Sequence, residues 1–224
     1  TSLTTQALNQ MQVDELVLAT GVSPRQLALP GHNHAKVLNY LEVIKGTNVG
    51  PKVAIIGAGG IGFDVAEFLT HGTHKPSTNV TQFMSQWGID MTMQARGGVA
   101  EIPQNIEASP REIYLLQRKS SKVGAGLGKT TGWVHRTGLQ QKKVNMLAGC
   151  EYQSIDDRGL HLTVGGEAQV LDVDHIIVCV GQDPNQSLSQ GLERTYHLIG
   201  GAQKASQLDA KRAIRQGTLL AIEL

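Results

Sequence analysis

The sequence predicts an α/β fold, and three observations carry that prediction. An unbroken apolar run, "KVAIIG" at 52–57, passes straight into a glycine-rich bend and then a helical pattern. Runs of that kind suit parallel strands covered on both faces. Downstream, "VNMLAG", "EYQSIDD", "GLHLTVGG" and "AQVLDV" are short segments split by turn signals, the pattern of a β-meander. Finally, "ELVLATGVSPR" (15–25) and "HIIVCVGQDPN" (175–185) share one plan of apolar run, Gly, two residues and Pro, with Gly21 matching Gly181 and Pro24 matching Pro184. A repeated strand–Gly–Pro element implies two related dinucleotide-binding units, one interrupting the other.

Taken in order, "VDELVLAT" (13–20) is a strand stopped by Gly21 and Pro24. Val37, Leu38, Leu41 and Ile44 follow a turn at helical spacing and predict a helix ended by Gly50-Pro51. The strand at 52–57 leads to the helix "GFDVAEFLTHG". Residues 72–111 show no core pattern and are too long for an ordinary loop, so they read as an insertion, a lid or a small subdomain. "EIYLLQRK" (112–119) is the next strand, and "TTGWVHRTGLQQKK" is helical. After the meander come a buried strand, "DHIIVCVG" (174–181), a further strand, "TYHLIGG" (195–201), and a closing helix, "ASQLDAKRAIRQGTLLAIEL".

The bulk numbers narrow the function. Among 224 residues, 40% are apolar and 17% charged, and the net charge is +1, so no basic face for nucleic acid is advertised. No apolar run approaches the roughly 20 residues that span a bilayer. Cys150 and Cys179 lie far apart in apolar runs and read as buried thiols, in keeping with a reducing cytoplasm. The chain has no initial Met and meets an internal strand almost at once, so it reads as a piece of something longer.

Gly57-Ala58-Gly59-Gly60-Ile61-Gly62 fits the fingerprint G-x-G-x-x-G in the context it requires, after a strand and opening a helix. Gly57 allows the tight turn, Gly59 lets backbone approach a diphosphate, and Gly62 allows close helix–strand packing. The helix start adds free N–H groups and partial positive charge. The alternative is a plain tight βα turn. Cofactor type is read beyond the second strand, where an acid would favour NAD and a cation NADP. Here Arg118 and Lys119 stand, with Lys122 behind them. They suit a 2′-phosphate, and Arg118 is able to make a forked contact; the alternative is a solvated basic turn.

"SKVGAGLGKTTGW" (121–133) imitates an ATP-binding loop but fails its spacing. The first glycine should stand at Val123, and Gly124 is one residue late. ATP binding is therefore rejected. Gly124, Gly126 and Gly128 instead suit a mobile loop closing over the cofactor, or a flexible turn into the helix. His32 with His34, and His71 with His74, lack the partners of a metal site, and no catalytic triad is visible. Trp87 and Trp133 read as core or lid packing.

Together, "VAIIGAGGIGFDVAEFL", "LLQRKSSKVGAGLGKTTGWVHRT", "HIIVCVGQDPN" and "HLIGGAQKASQLDAKRAIRQG" resemble the C-terminal part of bacterial NADPH-dependent 2,4-dienoyl-CoA reductases over nearly the whole chain. "GLGKTTGW" followed by His135-Arg136 is the specific motif. The resemblance implies a flavoprotein whose N-terminal barrel carries FMN and the acyl-CoA site, followed by a 4Fe-4S cluster and an FAD unit split by an NADPH unit. Hydride would pass from NADPH to FAD, and electrons onward to the dienoyl-CoA in β-oxidation of unsaturated fatty acids.

Carried over by position, Gly57, Ala58, Gly59, Gly60, Ile61 and Gly62 would cradle NADPH, and Arg118 and Lys119 would take its 2′-phosphate. Gly181 would lie near the nicotinamide. Ala19, Thr20 and Gly21 would line FAD, and Gly200 and Gly201 would meet its diphosphate or ribityl chain, although many such flavoproteins have Asp at the position of Gly201. The barrel, the cluster cysteines and the first FAD fingerprint are not in this sequence, so the FAD site reads as incomplete. The expectation is an NADPH-binding domain at 46–185, flanked by FAD-domain remnants at 1–45 and 186–224 and inactive alone toward dienoyl-CoA. The rivals are another old-yellow-enzyme or trimethylamine-dehydrogenase-like reductase and a non-redox nucleotide-binding module.

Overall fold

A computed structural model describes residues 2–72, 76–206 and 209–224. The chain opens with α1 (Thr5–Gln10), β1 (Val17–Leu18) and β2 (Val22–Pro24), then β3 (Val37–Asn39) and α2 (Tyr40–Ile44). Next come β4 (Lys52–Ile56), α3 (Gly60–Thr70), α4 (Val80–Gln86), β5 (Glu112–Leu116) and α5 (Gly132–Gln141). β6 (Asn145–Leu147), β7 (Cys150–Asp156), β8 (Gly159–Val164), β9 (Glu167–Leu171) and β10 (His175–Val178) follow. The chain closes with β11 (Gln182–Pro184), β12 (His197–Leu198), α6 (Gly200–Gln203) and α7 (Ala210–Glu223).

Two compact units result, Gln26–Val180 and Thr1–Arg25 with Gly181–Leu224. In the larger, five parallel strands run in the order β3-β10-β4-β5-β6. Val53, Ala54, Ile55 and Ile56 of β4 are fully buried, as an all-apolar run should be when both sheet faces are covered. One face packs Phe63, Val65, Ala66 and Leu69 of α3; the other packs Leu160 and Leu162 of the antiparallel β7-β8-β9 sheet. From β4 the chain works outward through β5 to β6, then returns to place β10 on the other side of β4. The strand order therefore reverses between β4 and β10, the point where open α/β sheets bind ligands beyond their carboxyl ends.

The structure corrects several boundaries. The larger unit starts at 26, not 46, because β3 pairs with β10 and α2 buries Tyr40 and Val43 in the same core. Val37 and Leu38 are strand, not helix: the Asn39 side chain accepts from the Leu41 and Glu42 amides while Glu42 reaches back to the Asn39 amide at 2.7 Å, so the helix starts there. "VNMLAG" joins the parallel sheet as β6 rather than the meander. The outer strands shrink to the two-residue pair β1 and β12, the α6 turn begins at Gly200, and α1 is an element the sequence reading lacked. The insertion holds α4 and two 3₁₀ turns, and Asp90 closes a turn by accepting from the Thr92, Gln94 and Ala95 amides. The Thr92 hydroxyl and those amides hold its carboxyl down at about 2. Residues 73–75 of the insertion, including His74, and 207–208 of the expected closing helix lie outside the described residues.

In the smaller unit the two repeated segments meet. β2 and β11 pair antiparallel, Val22 opposite Pro184 and Pro24 opposite Gln182. Gly21 and Gly181, which immediately precede them, have φ of 75° and 111°. Side chains other than glycine rarely take that backbone.

Candidate functional site

The bend after β4 is built by two glycines that have no room and two that have nothing near them. At Gly57, φ is 110°, and a Cβ would stand 2.3 Å from the Cys179 carbonyl oxygen at the end of β10. At Gly62 a Cβ would stand 1.8 Å from the Gly57 oxygen. Over Gly59 and Gly60 there is nothing within 4 Å. Ala58 and Ile61 pack half-buried on the core. Gly59 caps α3 with no side chain, so the first amides of this 11-residue helix lack the partner a Ser or Asp would give. A bend of this shape can take an anion on backbone alone.

Because β4 and β5 are neighbours in register, with Ile56 opposite Leu116, the chain beyond β5 emerges beside the bend. It is held there by its backbone: the Gln117 amide donates to Leu147 O at 2.8 Å, the Cys150 amide to Gln117 O at 2.9 Å and the Gly149 amide to Lys119 O at 3.0 Å. Arg118 and Lys119 are exposed. Beneath Arg118, burial raises the Tyr152 phenol against the pull of the guanidinium.

The second glycine-rich stretch behaves differently from the expected mobile loop. Arg136 of α5 donates to Val123 O at 3.0 Å and Gly124 O at 2.7 Å. A Cβ at Gly124 would meet Phe63 of α3 at 2.5 Å, and one at Gly132 would meet Leu127 at 2.6 Å. The Gly132 amide, first in α5, is already given to Gly128 O. Lys129 is exposed. Arg136 stands in the sequence motif, but its role as the donor that holds this loop was not assigned there; its place one α5 turn past Gly132 was the available signal.

In the smaller unit an open groove of about 490 Å³ gathers Ala19, Gly200 and Gly201 with Ala210 of α7 and its N-cap Asp209. Thr20 does not point there: its hydroxyl donates to Asn185 O at 2.5 Å, and Gly21 O accepts from the Asn185 amide. Gly181 O accepts from the Arg25 amide, and the Arg25 guanidinium pairs with Asp183 at 2.9 Å. The Gly200 amide donates to Gln216 Oε1 at 2.8 Å. An anion seeking that amide must first move Gln216.

The remaining candidates separate cleanly. Cys150 and Cys179 are free, buried thiols, and burial lifts Cys179 to about 12. His32 faces Leu29 O and His34 pairs with Asp157; no metal-binding cluster occurs among the described residues. Trp87 packs against Phe83, whereas Trp133 is 60% exposed and so is not core. Among the described residues, no helix is long and apolar enough to cross a membrane.

The profile of the pyridine nucleotide-disulphide oxidoreductases matches residues 2–201. A metal reductase of Desulforamulus reducens is 22% identical over 84% of this chain and 27% of its own length. A cinnamate reductase of Clostridium sporogenes is 24% identical over 90% of this chain and 25% of its own. Among solved structures, 2-naphthoyl-CoA reductase in complex with 2-naphthoyl-CoA superposes with a TM-score of 0.74 at 17% identity, over the whole chain and 29% of that protein. The chain thus spans about a quarter of the length of these relatives.

Proposed function

The chain belongs to the pyridine nucleotide-disulphide oxidoreductases, a family that binds FAD and NAD(P), and on that premise we propose that its larger unit is the NADPH-binding module of a flavin-dependent oxidoreductase. One observation carries this reading: the uncapped start of α3, with open space over Gly59 and Gly60, framed by two glycines whose replacement would collide with backbone. An enclosed βα turn would leave no such space. The amides at the start of α3 would hold the diphosphate. Arg118 would fork onto the 2′-phosphate and Lys119 would add charge. The smaller unit would be the flavin side, with Ala19, Gly200 and Gly201 lining its groove and Thr20 and Gly21 next to Ala19 in the chain. Bound NADPH would supply a hydride for a flavin to accept; this chain's own work would be to bind and orient the nucleotide.

For the parent protein we infer reduction of 2,4-dienoyl-CoA in fatty acid β-oxidation in the cytoplasm, with the FMN, the 4Fe-4S cluster and the acyl-CoA site on its other parts. The motif "GLGKTTGW" with His135-Arg136 supports this, and a structure of the same fold acts on another acyl-CoA. A second reading, an enoate reductase, is favoured by the cinnamate reductase relative over 90% of the chain. Titrating the chain with NADPH, NADH and ATP tests the module. Expected is tightest binding of NADPH and none of ATP; NADH bound as tightly as NADPH, or ATP bound through Lys129, would overturn the reading.

A further inference from the structure

A cavity of about 210 Å³ lies in the larger unit at the far end of α3 from the glycine bend. Eleven residues of helix put it about 16 Å away. Its walls come from the carboxyl ends of three helices: Thr70 and His71 of α3, Gln86 and Trp87 of α4, and Gln141 and Lys142 of α5. Each helix brings partial negative charge to that end. Glu67 adds a carboxylate, which accepts from or pairs with His135 Nδ1 at 2.8 Å and keeps further lone pairs. Phe83 and Trp87 form a corner, their ring centroids 6.4 Å apart and their planes at 52°. Lys142 also lines the cavity and keeps its charge, its ammonium donating to the Glu107 backbone carbonyl.

We propose that this cavity is a second ligand site, for a small organic ammonium ion with an apolar body. Three helix ends and a carboxylate disfavour an anion there. Aromatic faces attract a cation. The volume is below the ~300 Å³ at which pockets for drug-sized ligands begin, which limits the occupant to about one ring or a short chain. The site shares no residue with the glycine bend or with Arg118, so it stands whether or not the nucleotide reading does.

Trp87 and Trp133 are the two tryptophans, so a Trp133→Phe chain reports on the cavity wall by fluorescence. We expect benzylammonium to give a saturable change in Trp87 emission that saturating NADPH shifts less than about 2-fold, with benzoate at least about 10-fold weaker. Glu67→Gln should weaken benzylammonium about 5-fold or more. Gly138→Leu is the filling variant: a Cβ there meets nothing within 4 Å, it faces the cavity, and Leu suits a helix better than Gly. It should fold and lose the binding. No saturable change, benzoate bound as well, displacement by NADPH, or unaltered binding by Gly138→Leu would each overturn the site.

Discussion

The two glycine-rich stretches of the larger unit look alike as strings and differ in what their amides do. Both have glycines wedged against neighbours, Gly57 and Gly62 in one, Gly124 and Gly132 in the other, and both have glycines in open space. In the first, the chain turns straight from a buried strand into an 11-residue helix whose start is left without a side-chain cap. In the second, Thr131 gives α5 no side-chain cap either, but the first amide of α5 is consumed by Gly128 O and the loop's carbonyls by Arg136. A glycine-rich loop offers an anion something only when its N–H groups remain unspent. Counting glycines does not reveal that; following the hydrogen bonds does.

The sharpest break between wedged and open glycines should appear within the bend itself. Gly57→Ala adds an overlap with Cys179 O at a φ of 110°, two penalties of about 1–3 kcal/mol each, so thermal unfolding should fall by roughly 10 °C or the chain should not fold. Gly59→Ala meets nothing and should melt within about 2 °C of the native chain, yet bind NADPH about 10-fold or more weakly. Equal stability losses in the two variants would show that the open space over Gly59 is not real.

Beside the bend, Arg118→Glu should lower NADPH affinity about 100-fold while changing NADH by less than about 3-fold, since only the former has the phosphate for the fork. Calorimetric titration of both nucleotides measures the ratio. Equal losses would move the 2′-phosphate elsewhere. The other stretch should respond in stability instead. Arg136→Ala leaves the Val123 and Gly124 carbonyls without their donor and should cost about 2 kcal/mol, with NADPH affinity down by less than about 3-fold. A large affinity loss with unchanged melting would make the loop part of the nucleotide site.

Much of this was legible in the sequence. The β4 run, the bend and α3 follow from an apolar segment with no polar interruption meeting G-x-G-x-x-G, and the echo of Gly21 and Gly181 foretold two segments that turn out to pair. What escaped was decided by single polar contacts. Val37 and Leu38 look helical until Asn39 and Glu42 cap one another, after which Tyr40 and Val43, not Leu41 and Ile44, face the core. β6 looks like meander because three residues carry no mark of the partner strand they will find. The Gly200 amide reads as free until Gln216, 16 residues on, is seen to hold it.

The floor of the bend supplies the smallest effect. Cys179 is 7% exposed and its thiol is lifted by burial from 9.0 to about 12. A folded pKa above the unfolded one means the unfolded chain loses its proton first. The thiol's contribution is therefore complete below pH 9.0 and is lost as pH rises toward about 12. Burial raises Cys150 too, but that thiol is present in both chains and cancels in the comparison. Between about pH 8 and pH 10 the native chain should lose roughly 1 kcal/mol more than Cys179→Ala, whose cavity cost is the same at both values. Urea unfolding of the two chains at each pH measures the difference. Parallel curves would mean that water reaches the thiol, and that the Cys179 carbonyl beneath Gly57 is not the dry floor on which the bend rests.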